Sequence, residues 1–230
     1  MAENDLIAIA SLISSLVALA VSGLLIYDWN RTKKQQRLEW GIGMFTYAIG
    51  HLIVCLMYLG SPSILPANVL WLWIYVNLGG AITMALILKG LLPLFTEKQM
   101  YVYGVPIGFA LIYGLGSFMY GFILPADNPI NFIMLGSFLG TDFSQIANMS
   151  WWVVECLIPA SFVIGFLFIM HYKESKMVSS LLISVHFIGY MLLLFIWPFS
   201  EFKLLFYTGR TVITTILAVG FIDLIRRTGT

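Results

Sequence analysis

Two histidines, His51 and His186, stand in the middle of long apolar stretches, each with companions at helical spacing: Tyr47 and Cys55 beside His51, Tyr190 and Trp197 beside His186. Residues four apart share a helix face. Counted from the basic ends of their stretches, His51 is about 18 Å deep and His186 about 14 Å, at 1.5 Å per residue. Imidazoles at matching depth on two helices are what a haem with two axial ligands requires, and the same pair could flank a quinone. The plainer reading is a hydrogen-bonded core histidine in each case. His171 falls at a boundary and reads as interfacial.

Ionisable residues inside apolar stretches carry a second chemistry, because a charge in hydrocarbon costs several kcal/mol unless it is partnered or faces water. Glu155, Arg210 and Lys89 are such residues. Glu155 and Arg210 lie at similar depths, and Pro159 cannot donate to the Glu155 carbonyl, which leaves that oxygen beside the carboxylate. The expected result is an interhelical ion pair. It is either a packing device or, with Tyr207 and Asn77, the polar end of a ligand pocket. Lys89 is close enough to a stretch end to snorkel to headgroups. Asp223 has Arg226 and Arg227 at helical spacing for pairing.

These groups are carried by seven apolar runs, roughly 5–27, 39–60, 68–95, 100–124, 151–172, 177–199 and 203–225, each near the ~20 residues that cross a bilayer. Hydrophobic residues make up 60% of the chain and charged residues 10%, and the mean hydropathy is +0.93. The expected fold class is therefore all-α: one polytopic membrane domain over 1–230, at the cell membrane. The first run starts MAENDLIAIA, acidic where a signal peptide is basic, and reads as a retained helix. A net charge of +1 lacks the basic surface that nucleic acid demands. Cys55 and Cys156 both fall inside runs and read as packing residues.

Cations set the orientation, because cytoplasmic loops retain Lys and Arg. Arg31, Lys33, Lys34, Arg37, Lys98, Lys173, Lys176, Arg226 and Arg227 fall on one side; Glu3, Asp5, Asp127, Asp142 and Glu201 fall on the other with Lys203. The amino terminus is expected outside and the carboxyl terminus in the cytoplasm. Trp40 reads as an inner-interface marker, and Trp71, Trp151, Trp152 and Trp197 as outer ones. The outer connection 125–150, containing INFIMLGSFLGTDFSQIA, is apolar enough for an interfacial helix or a lid.

Glycines suggest where helices meet. Gly104-x-x-x-Gly108 offers a small-residue face for a second copy or another membrane protein, and Gly79-Gly80 permits a close approach near mid-span. No three-plus-three internal repeat is visible in the residues themselves. Phosphate-loop, HExxH and nucleophile-elbow motifs are absent from the sequence, so no covalent catalyst is named. In-span Ser184, Thr211, Thr214 and Thr215 read as interhelical hydrogen-bonding groups.

Seven runs with an outside amino terminus, short loops and the helix–basic loop–helix layout of LIYDWNRTKKQQRLEWGIGMFTYAIGHLIVCLMYLG resemble the microbial rhodopsins. That family carries retinal on a lysine in its seventh helix. Here FYTGRTVITTILAVGFIDLIRR holds no lysine and WLWIYVNLGGAITMALILKG no acidic counter-ion, so no retinal is expected and no site residue carries over. The function expected is non-enzymatic: a small-ligand binding or sensing bundle, or an accessory subunit of a membrane complex. A redox protein holding haem or quinone at His51, His186 and Tyr190 is the alternative, and a transporter or channel the third.

Overall fold

The computed structural model describes residues 3–59, 77–95, 146–196 and 202–228, with the side chains of 77, 78, 81, 146–156, 159 and 228 outside the description. All of the regular structure there is helical. The helices are α1 (Glu3–Thr32), α2 (Gln35–Leu59), α3 (Thr83–Leu91), α4 (Ile146–Ser175), α5 (Val178–Ile196) and α6 (Lys203–Thr228). A π-helical turn, Asn77–Ile82, leads into α3, and a 3₁₀ turn, Leu92–Leu94, ends it where Pro93 enters. Four of these helices, α1, α2, α5 and α6, are long and apolar enough to cross a membrane; the α3 segment is a shorter apolar helix. The expected run 100–124, with its Gly104–Gly108 face, lies outside the described residues. Helix α4 already begins at Ile146, inside the stretch expected to be loop.

Many large apolar side chains point outward from these helices, among them Leu16, Phe45, Leu56, Phe162, Leu192 and Val212. Outward apolar surface on that scale, on helices of this length, is compatible with a membrane protein. The inward faces are lined by small and hydroxyl residues. Ser15 Oγ donates to the Ala48 carbonyl at 2.9 Å and Ser22 Oγ to the Gly41 carbonyl at 2.8 Å, which locks α1 against α2 at close range.

Both helical hairpins turn in the same way. Each is closed by one lysine in the left-handed region, Lys33 and Lys176, both with φ 56°. Lys33 N donates to the Trp29 carbonyl at 2.7 Å and Lys176 N to the Tyr172 carbonyl at 2.8 Å. In each, a hydroxyl one residue before the lysine bonds back four residues, Thr32 to Asp28 and Ser175 to His171.

This likeness extends through three helices, and it corrects the expectation that the chain holds no repeat. Adding 143 to the residue numbers carries α1 (Glu3–Thr32) onto α4 (Ile146–Ser175) and the first residue of α2, Gln35, onto that of α5, Val178. Adding 130 carries α3 onto α6, contact for contact. Gly90 lies against Trp40 and the Gln36 carbonyl, while Gly220 lies against their counterparts Ile183 and the Ser179 carbonyl. Gly43 faces the Thr83 carbonyl, and its counterpart His186 bonds to the Ile213 carbonyl.

The two repeats run parallel. Helix α3 is antiparallel to α2, since Thr46 meets Thr83 and Trp40 meets Ile87. Helix α4 runs alongside α3 in the same direction: Leu157 packs at Gly80, Ser161 at Met84 and His171 at Phe95. Helix α6 runs parallel to α1, with Thr211 at Ser14 near one end and Leu224 at Arg37 near the other. The seams between repeats are accordingly α1 against α6 and α3 against α4. Both hairpin turns and the carboxyl end of α6 therefore share one face of the bundle, here the hairpin face. The starts of α1, α4 and α6 share the opposite one, the start face.

Candidate functional site

The bundle centre collects polar groups from both repeats around Arg210, which is 0% exposed. Its guanidinium carbon stands 5.0 Å from the ring centroid of Tyr47 and 4.8 Å from that of Tyr190. Both distances are within cation–π range. The two tyrosines are counterparts in the repeat, so the arginine sits between equivalent rings of the two halves. The position equivalent to Arg210 itself is Gly80, which has no side chain to compete for the centre.

Hydrogen bonds close a circuit here. Arg210 Nε donates to Tyr47 Oη at 3.3 Å, and Thr214 Oγ1 donates to the Arg210 carbonyl at 2.8 Å. That leaves the Tyr47 hydroxyl as donor to Thr214 Oγ1 at 2.9 Å. A buried guanidinium with its planar face stacked and its Nε engaged is fixed in direction. Phe206 adds a third ring at 5.9 Å.

Both central histidines belong to this cluster. The Tyr47 ring meets His51 edge-on at 4.5 Å and His186 at 6.0 Å, and His186 stacks on Tyr190 at 6.3 Å. His186 Nδ1 donates to the Ile213 carbonyl at 2.9 Å, a satisfied core histidine on that side of the ring. His51 differs. It is 1% exposed, yet among the described residues neither Nδ1 nor Nε2 has a hydrogen-bond partner. Each buried polar atom left unmet costs ~1–3 kcal/mol. As Tyr47 lies against both imidazoles, a haem ligated by the pair would have to displace that ring.

Toward the hairpin face, Met44, Tyr47, Thr83, His186 and Tyr190 help to enclose a cavity of about 10 Å³, room for about one water. Below it lies Trp40. Expected at the membrane interface, it is instead 0% exposed. Its Nε1 donates to the Ile87 carbonyl at 3.0 Å. Its ring packs on Phe168 at 6.3 Å and Phe221 at 5.5 Å, both from the second repeat.

Other expected residues fall as follows. The side chains of Glu155 and Asn77 lie outside the described residues, as do Trp71, Trp151, Trp152, Trp197 and Cys156. The backbone of Glu155 in α4 is two residues before Leu157, which packs on Gly80, the counterpart of Arg210. Tyr207 is buried, with its ring edge-on to Tyr58 at 5.5 Å, one turn toward the start face from Arg210. Lys89 reaches the surface while its Nζ lies 3.1 Å from Glu39 Oε1. Asp223 pairs with Arg227 at 2.9 Å.

Arg37, expected among the loop cations, is fully buried in α2 because α1 supplies it with a carboxylate. Its Nε lies 3.2 Å from Asp28 Oδ2, whose Oδ1 also receives Arg31 at 3.3 Å. The second hairpin places His171 and Ser180 at the equivalent positions, bonded at 2.7 Å. The sequence signal for the first pair was an acid and a base nine residues apart, straddling a turn. Among the described residues no group of three or more metal-ligating side chains comes together.

The fold and site define an all-helical bundle of two parallel three-helix repeats around a buried arginine. Comparison with family models, with curated proteins and with solved structures gives no match.

Proposed function

We propose that the chain is a seven-span, non-enzymatic membrane protein of the cell membrane that binds a small ligand at its polar centre. Chain connectivity supports seven spans. The α3 segment ends at the hairpin face and α4 starts at the start face, which supports reading the apolar run 100–124 as a further span. The amino terminus is assigned outside because exposed Arg31, Lys33, Lys34, Lys173, Lys176, Arg226 and Arg227 all gather at the hairpin face, the cytoplasmic signature.

The observation that carries the binding reading is His51, a buried imidazole with both nitrogens unmet among the described residues, one ring away from a fixed guanidinium. A donor set of imidazole and guanidinium suits an oxygen acid, carboxylate or phosphate. The test is thermal stability of the detergent-purified protein titrated with succinate, glutamate and inorganic phosphate. An anion present at 100 times its Kd adds about 2.7 kcal/mol. The shift is expected in the wild type and lost in His51→Ala. No shift with any of the three, or an equal shift in His51→Ala, refutes the reading.

A further inference from the structure

We propose that the two repeats rock against each other and carry the bound oxyanion across the bundle, making the chain a carrier and not only a binder. The inference rests on the polar centre being the ligand site, and it adds movement.

Four observations lead there. First, the halves are copies related about an axis along the bundle, and parallel repeats of this kind place their ligand near the midplane where the repeats meet. Second, the site is built across that boundary. Tyr47 and His51 come from the first repeat; Tyr190, His186, Arg210 and Thr214 come from the second. Any rotation of one half against the other changes the distance between Tyr47 and Arg210, now 3.3 Å, and so changes the grip on an anion.

Third, the cavity of about 10 Å³ takes one water, while a dicarboxylate is several times larger. An anion of that size reaches the centre only when the halves part. Fourth, one side chain toward the hairpin face spans both halves: Trp40 is held by its own repeat through the Ile87 carbonyl and rests on Phe168 and Phe221 of the other. Among the described residues the hydrogen bonds across the α1–α6 seam are made by side-chain hydroxyls: Ser14 Oγ meets Thr211 Oγ1 at 2.9 Å and Thr211 bonds the Ala10 carbonyl at 2.9 Å. Arg37 Nη2 of α2 reaches the Leu224 carbonyl of α6 at 3.5 Å. Helices stay intact when these break, so each half can move as a body.

The experiment uses the full chain in proteoliposomes, with radiolabelled succinate, glutamate and inorganic phosphate outside at pH 8, where none crosses lipid readily. A second protein, Ser14→Cys with Thr211→Cys on a Cys55→Ala, Cys156→Ala background, closes a disulfide across the seam under oxidation and frees it under dithiothreitol. Expected is entry of at least one anion ten-fold or more faster than into protein-free vesicles. In the double-cysteine protein both entry and the thermal shift should be lost on oxidation and return on reduction, because the closed seam keeps the anion from the centre. An anion that shifts stability but does not enter overturns the carrier and leaves the binding site standing. Entry that continues through the closed disulfide overturns the rocking of the halves. Absence of both binding and entry overturns this proposal together with the site it rests on.

Discussion

Gly90 is where the third helical segment presses closest on α2, and replacing it with alanine tests the central packing directly. A Cβ at Gly90 would lie 2.5 Å from Trp40 Nε1, 2.7 Å from Trp40 Cδ1 and 3.2 Å from the Gln36 carbonyl oxygen. The indole has nowhere to retreat, since it is bonded to the Ile87 carbonyl and backed by Phe168 and Phe221. Overpacking of this kind costs ~1–3 kcal/mol. Pulling the indole off its carbonyl adds about 1 kcal/mol, and the better helix propensity of alanine returns about 1 kcal/mol. The net is a destabilisation of about 2 kcal/mol, equivalent to a fall of about 4–8 °C in Tm for a chain of this size. Gly23→Ala is the control. Nothing lies within 4 Å of its added Cβ, so it gains the same propensity unopposed and melts at or above wild type. Thermal unfolding in detergent, followed by tryptophan fluorescence, reads both. A Trp40→Phe background relieves the clash, and Gly90→Ala should there cost at least 1 kcal/mol less. If Gly90→Ala melts with Gly23→Ala, Trp40 does not pack between the repeats and the account of its spanning both halves fails.

Asp28→Asn leaves the buried Arg37 without its carboxylate and should cost about 3–5 kcal/mol in denaturant unfolding in detergent. Transplanting the second hairpin's pair, Asp28→His with Arg37→Ser, should recover at least half of that loss; a double variant no better than Asp28→Asn refutes the equivalence of the two turns. Arg210→Lys keeps the charge but loses the planar stack between Tyr47 and Tyr190, and a Tm as high as wild type would show that the rings do not hold the guanidinium. Arg210→Ala must lower stability or ligand response, and indifference in both removes Arg210 from the site. Asp223→Asn breaks an exposed i,i+4 pair worth under about 0.5 kcal/mol, so its Tm should stay within about 2 °C of wild type.

What the sequence revealed and what it concealed follow from one physical fact. Hydrocarbon burial depends on how apolar a stretch is, and that is additive along the chain, so run length and composition place α1, α2, α4, α5 and α6 to within a few residues. Depth along a helix is additive too, which is why His51 and His186 could be set at comparable levels, and both meet the Tyr47 ring. Rotation about the helix axis is different. It is fixed by which small residue lets a neighbour approach, and in an apolar chain nearly every face offers a candidate. Trp40 was therefore read as interfacial and Arg37 as a loop cation, when Gly90 and Asp28 draw both inward.

The repeat was hidden for a related reason. It is conserved in backbone contacts, whereas the side chains making them are exchanged. Ser22 and Gly41 of the first hairpin become Gly165 and Ser184 in the second, so the same small-residue crossing survives with its members swapped. Asp28 with Arg37 becomes His171 with Ser180. Gly43 becomes His186 and Gly80 becomes Arg210, and those two replacements install an imidazole and a guanidinium in one half where the other keeps glycine. Tyr47 and Tyr190 match at the centre. The asymmetry is what a single site on a shared axis requires, because two arginines facing each other between the same rings would repel at close range in a medium of low dielectric. One half supplies the charge, the other leaves room for it, and both supply the rings that hold it.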